Sequence, residues 1–250
     1  MNTKSLLLAL VALVAASEAV SQEQLTGSFP MNYTTTEVLD PQAAMALEKY
    51  IGVDESLQWQ VYVPYEYDPR RPAGLLIFLD SRGWGGIPDA WRQIVSDHNL
   101  IWVGPKQNER APSEEKRIWS AILGYRALEQ QYALDLNRIY VAGLGYQASV
   151  ALNTSLLANE IRGVIYMRGS AMWTTIGEDS LSALARKRHV FITGTNDKQK
   201  AGIQRHARDY ERAGIPNVEL IFATRNLGDP PQAEYLDQAI RYLDGSQARQ

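Results

Sequence analysis

Cysteine is missing from all 250 residues. That absence removes disulfides, thiolate nucleophiles, cysteine-bound zinc and a lipid-modified N-terminal cysteine. Histidine is nearly as scarce, with three copies, so a general base has few places to come from. No run of lysine or arginine stands out, and the formal net charge is −3. A polybasic face for nucleic acid or an anionic membrane is therefore not expected. Long apolar runs are also lacking, except for one at the N-terminus.

That run is "SLLLALVALVAA", preceded by Lys4 and followed by the small residues of "ASEAVSQ". At about a dozen apolar residues it has signal-peptide rather than bilayer-spanning length. The expectation is a signal peptide over 1–21, cleaved near Ala19 or Ser21, and a secreted or periplasmic mature protein with no membrane span. Cleavage removes Lys4 and Glu18 together and leaves the net charge at −3.

What remains suits one globular domain with a sizeable core. Residues 22–56 read as a loose leading segment with one helical stretch, "PQAAMALEKY". From 57 to 244 the chain alternates between strands and helices. Strands are expected at 57–64, 74–80, 100–105, 138–143, 163–169, 189–194 and 218–224. Helices are expected near 88–97, 114–132, 146–158, 198–213 and 232–243, with a loop of small residues at 170–180 and a tail at 245–250. "GLLIFLD" is apolar almost throughout, as a strand covered on both faces is. On the helix at 114–132, Ile118, Ala121, Ile122, Tyr125, Leu128 and Tyr132 share one face. This alternation implies an α/β single-domain fold, a mostly parallel sheet with helices on both faces. Its site is expected at the carboxyl ends of the strands.

Several segments carry a family likeness: "YVPYEYDPRRPAGLLIFLD", "YALDLNRIYVAGL", "FITGTNDKQK" with "YERAGIPNVELI", and "QAEYLDQAIRYLD". In this order the chain resembles the secreted α/β-hydrolases grouped with polyhydroxyalkanoate depolymerases and feruloyl esterases. The resemblance covers roughly residues 57 to 244 and implies an α/β-hydrolase fold. It also implies a nucleophilic serine in a G-x-S-x-G turn, followed along the chain by an acid and a histidine. On this sequence the turn is Gly143-Leu144-Gly145-Tyr146-Gln147, so Gly145 holds the serine position and Gln147 that of the second glycine. The acid position falls on Asp197, the histidine position on Gly228, and the oxyanion loop on Leu79-Asp80-Ser81. A glutamine at position 147 implies a relaxed turn.

Acyl transfer needs a nucleophile activated by a base that a third group orients. Glycine supplies neither a nucleophile nor a base, and a carboxylate at position 80 repels developing negative charge. The expectation is a binding or interaction module on a hydrolase frame; a divergent carboxylic-ester hydrolase with relocated residues is the alternative. Ser81, Ser149 and Ser170 read as loop or helix residues, and His98, His189 and His206 as surface histidines away from the functional edge. Asp80, Asp197 and Asp229 share that edge without a metal-ligand spacing. No metal and no cofactor is expected. Asp80, Ser81, Trp84, Tyr146, Trp173 and Asp229 are the candidate pocket-lining residues, with Arg110, Arg168 and Arg225 near the same edge. Aromatics beside arginine and carboxylate suit a small-molecule, saccharide or peptide ligand.

Overall fold

A computed structural model of the chain describes residues 24–106, 112–169, 178–228 and 230–245. The signal-peptide segment, Arg110, Ser170, Trp173, Asp229 and residues 246–250 of the tail lie outside the described residues.

The frame is an eight-stranded sheet in the order β1-β2-β4-β3-β5-β6-β7-β8. Its strands are β1 (Gly27–Tyr33), β2 (Leu57–Val63), β3 (Ala73–Leu79), β4 (Leu100–Lys106), β5 (Leu134–Leu144), β6 (Gly163–Met167), β7 (Arg188–Gly194) and β8 (Val218–Ala223). β1 and β2 run antiparallel to their neighbours, and all other pairings are parallel. Every residue of β3 is buried, as its unbroken apolar sequence requires for a strand covered on both faces.

Helices cover both sides. α4 (Glu114–Glu129) and α5 (Gln147–Leu157) pack on one face together with α7 (Lys200–Arg212), around Tyr125, Ala148, Phe191 and Ile203. α3 (Asp89–Asp97) and α8 (Ala233–Leu243) cover the other face, around Trp91, Trp102 and Leu236. Trp91, Trp102 and Phe78 form a ring cluster with centroids 4.7 to 5.8 Å apart. Among the described residues, no helix is long and apolar enough to cross a membrane.

Strand order places the site. The chain leaves β3 toward β4 on one side, then crosses to β5 on the other. Leu79 pairs with Gly143 at the carboxyl ends of β3 and β5. The loops after these two strands therefore depart in opposite directions and open a crevice.

Three expectations need correction. The segment before residue 57 is not loose. It supplies β1, which pairs with β2 from Gly27 to Tyr33, then α1 (Thr35–Val38) and α2 (Pro41–Leu47), the latter capped by Asp40. β5 begins at Leu134 rather than 138. The stretch expected as a loop to residue 180 is already helical from 178, where α6 (Glu178–Ala185) begins.

Candidate functional site

The turn between β5 and α5 is sharp. Gly145 has φ +65°, in the left-handed region that costs side-chain-bearing residues energy. Its N–H donates to the Met167 carbonyl at 2.8 Å, which ties the turn to β6. A Cβ on Gly143 would collide with the Gln147 carbonyl, and one on Gly169 with the Gly145 carbonyl. A Cβ on Gly145 would meet nothing within 4 Å. The relaxed turn expected from Gln147 is thus not found. Gly143 and Gly169 provide the close approach, and the space above position 145 is open.

Gln147 instead turns its fully buried side chain toward the loop after β3. Its amide donates to the Asp80 carbonyl at 3.3 Å. Asp80 is itself buried and occupied within its own turn. Its Oδ1 accepts the Arg82 backbone N–H at 3.0 Å, and its Oδ2 lies 3.4 Å from Arg82 Nε. Tyr146 is 53% exposed, donates to the Ser81 carbonyl at 3.5 Å and carries Arg117 over its ring at 5.1 Å. Trp84, 68% exposed, is paired with Arg82 in the same way. These contacts set both aromatics on an outer rim, each with its own arginine.

The cavity lies beyond Gly145 and measures about 570 Å³. Its wall comes from the ends of four strands and the loop after β3. Ser81 lines it from that loop, Leu144 and Gly145 from the elbow, and Arg168 from the end of β6. Residues 196–199 close it after β7 and residues 226–228 after β8. Of the residues named from sequence, Ser81, Asp197, Gly145, Gly228 and Arg168 meet here. Asp80, Trp84 and Tyr146 are not in the lining, and Arg225 is exposed outside it. Asn196, Lys198, Gln199 and Asn226 were missed. Their only signal was position, in loops following β7 and β8 at the carboxyl edge.

Asp197 closes the turn after β7. Its Oδ2 accepts the Gly194 N–H at 2.6 Å and lies 3.4 Å from the Thr193 hydroxyl. At the histidine position, Gly228 donates its N–H to Gln232 Oε1 at 3.5 Å, and a Cβ there would come within 2.9 Å of the Pro230 carbonyl. Arg168 has φ +50°, and its N–H is bonded to the Ile192 carbonyl at 3.0 Å.

None of the chain's three histidines lines the cavity. His98, after α3, lies 2.8 Å from Asp237 and 3.4 Å from Asp244. His189 is fully buried at the amino end of β7, between the Tyr166 hydroxyl and the Leu184 carbonyl. Burial, reinforced by the charge on Lys187, pushes it down to about 4 against the carbonyl's opposing pull. His206, mid-way along α7, is half-buried. The expectation of surface histidines fails for His98 and His189, which packing and hydrogen bonds enclose. Ser149 donates to the Tyr146 carbonyl at 2.9 Å, one turn back along its own helix. Among the described residues no three carboxylates or histidines gather closely enough to hold a metal ion.

No protein-family profile matches the chain, and no curated relative matches it. Solved structures do. S-formylglutathione hydrolase from Staphylococcus aureus superposes with a TM-score of 0.61 at 11% identity, over 87% of this chain and 98% of that one. A mutant of the feruloyl esterase module from Clostridium thermocellum, complexed with sinapinate, gives 0.63 at 11% identity over 90% of each chain. A fungal esterase from Rhizomucor miehei gives 0.60 at 12% identity, over 90% of this chain and 86% of that one. At such identities the likeness concerns the fold: this chain has a single-domain α/β-hydrolase fold, similar to that of esterases.

Proposed function

We propose that this protein is an exported α/β-hydrolase-fold protein that binds a small ligand at the carboxyl edge of its sheet without acyl chemistry. The observation that carries the reading is Gly145. The turn that would present a nucleophile is intact, with φ +65° and free space above it, yet it bears no side chain. The base is missing from the same cavity, since Gly228 stands at its position and all three histidines lie elsewhere. A triad that loses its serine or its histidine loses about a million-fold in turnover in one well-studied protease. Here both are replaced. A preserved cavity without a serine–histidine pair is what a receptor for a small molecule, a saccharide or a peptide end would need. The apolar N-terminal run supports export.

The experiment is direct. The purified mature protein is offered short acyl p-nitrophenyl esters and a fluorophosphonate probe. The expected result is no turnover above buffer and no labelling. Labelling that disappears in Ser81→Ala would overturn the proposal and reveal a relocated nucleophile on the cavity wall.

A further inference from the structure

We propose that the cavity beside Gly145 is a site for a sugar acid, a polyhydroxylated ring bearing a carboxylate, with that carboxylate held by Arg168. The assignment rests on the binding reading above and names its ligand class.

Arg168 lines the cavity from the end of β6 and is half-buried there. Its backbone is pinned by the bond to Ile192. Its guanidinium makes no hydrogen bond or ion pair with any described residue. A half-enclosed fork of five donors on a cavity wall, with no partner among the described residues, is open to pairing with a ligand. Planar bidentate pairing suits an oxyanion, and a carboxylate matches the fork in both planarity and charge. Lys198 adds a second cation to the wall. Among the described lining residues Asp197 is the one carboxylate, and one of its oxygens is committed to the Gly194 N–H and the Thr193 hydroxyl. The described lining therefore carries a formal net charge of +1 from Arg168, Lys198 and Asp197.

The rest of the wall defines the rest of the ligand. Ser81, Asn196, Gln199 and Asn226 are also in the lining, residues whose hydroxyl and amide groups both donate and accept. The apolar side chains in the lining, Leu144 and Leu227, are 4% and 1% exposed, so neither gives an aromatic or aliphatic body a side-chain face to pack on. Ring hydroxyls can pair with these exposed groups, whereas a greasy acid offers them nothing. The volume, about 570 Å³, falls in the range that encloses a small molecule. Part of that room is the open space above Gly145.

Titration calorimetry on the mature protein tests this with D-glucuronate and D-galacturonate, against D-glucose, benzoate and inorganic phosphate. At least one uronate is expected to bind, and glucose, benzoate and phosphate to bind about tenfold more weakly or worse, the scale set by losing a bidentate ion pair or a set of hydroxyl bonds. Arg168→Gly accepts the positive φ without strain, so it should fold normally and still lose uronate binding about tenfold or more. Arg168→Lys should fall between the two. Equal binding of glucose, of benzoate or of phosphate would overturn the sugar-acid assignment, as would full affinity in Arg168→Gly. Silence of both uronates would overturn it too while leaving the absence of acyl chemistry intact. Ester hydrolysis would strike that earlier reading alone.

Discussion

The side-chain amide of Gln147 donates across the crevice to the backbone carbonyl of Asp80 at 3.3 Å, joining the first turn of α5 to the loop after β3. Gln147 is fully buried, and its Oε1 has no partner among the described residues. An acyl hydrolase of this fold builds its oxyanion hole from backbone donors in these two segments. Here a side chain links them. Gln147→Leu removes the hydrogen bond and the orphaned acceptor together, so stability should stay within about 1 kcal/mol of the parent. Gln147→Glu places a buried carboxylate against a carbonyl and should cost about 2–4 kcal/mol at pH 7.5. Burial raises such a carboxyl, so its penalty should shrink as pH falls toward 5 and the group protonates. Urea midpoints at the two pH values check this; equal losses in the two variants would contradict it.

Gly145→Ser tests whether the elbow keeps its conformation under load. Contact is not the obstacle, because a Cβ there meets nothing within 4 Å. The backbone is: φ +65° should cost a serine about 1–2 kcal/mol. Gly145→Asn should cost less, since asparagine visits the left-handed region more readily. Ester turnover should stay absent in both variants, with no histidine in the cavity to serve a new hydroxyl. An unfolding midpoint that rises in the serine variant would show that the turn adapts.

The alternation of strands and helices was legible because central strands buried on both faces leave unbroken apolar runs, while α3, α7 and α8 each carry an apolar stripe at helical spacing. β1 left none. "GSFPMNY" contains Pro30, which suits an edge strand and argues against a central one. The elbow, Asp197 and Gly228 were located by the resemblance to the hydrolase family, segment by segment. A resemblance does not tell which way a loop side chain turns. Trp84 and Tyr146 therefore read as lining yet stand outside, each over an arginine. The Gln147 amide met Asp80 only once β3 and β5 became neighbours. His189 read as a surface residue because burial at a strand's amino end depends on Tyr166 and Tyr210, which arrive from other elements.

The amino edge of the sheet is held by charge. Asp244 accepts both Nε and Nη2 of Arg138 at 2.8 Å and the Tyr140 hydroxyl at 2.7 Å, and it faces His98. Asp237, itself bridged to Arg241, takes the other side of the imidazole. Burial opposes a charge on His98, but hydrogen bonds to Asp244 and Asp237 override it and raise the group above its ordinary value. Its stabilising contribution is therefore complete below about pH 6.5 and is lost as pH rises through the elevated folded value. His98→Gln should cost about 1 kcal/mol at pH 6 and less at pH 8.5. Asp244→Asn, which strands Arg138 half-buried, should cost about 3 kcal/mol across neutral pH. Chemical denaturation at the two pH values measures both. A His98→Gln penalty that does not change with pH would mean the imidazole is uncharged.

Lys187 works in the opposite sense. It is 3% exposed, and its Nζ donates to the Ile161 carbonyl at 2.7 Å and the Ala158 carbonyl at 3.4 Å, where α5 ends. Burial, then the charges of Arg162 and Arg186, lower it to about 8 against the pull of Glu160. An unfolded chain keeps this proton until about pH 10.4, whereas the folded chain releases it near 8. Between those values the unfolded state binds more protons, so stability should rise with pH, by about 1–2 kcal/mol from pH 7.5 to 9.5. The neutral amine still has two N–H donors, enough for both carbonyls. Lys187→Met deletes the titrating group, and its stability should stay flat over that interval apart from contributions shared with the parent. Higher pH lowers the stability of both proteins, because burial raises the phenols of Tyr125, Tyr140, Tyr166 and Tyr210 and the unfolded chain ionises first. Parallel pH profiles for the parent and Lys187→Met would show that the lysine keeps its charge in the fold.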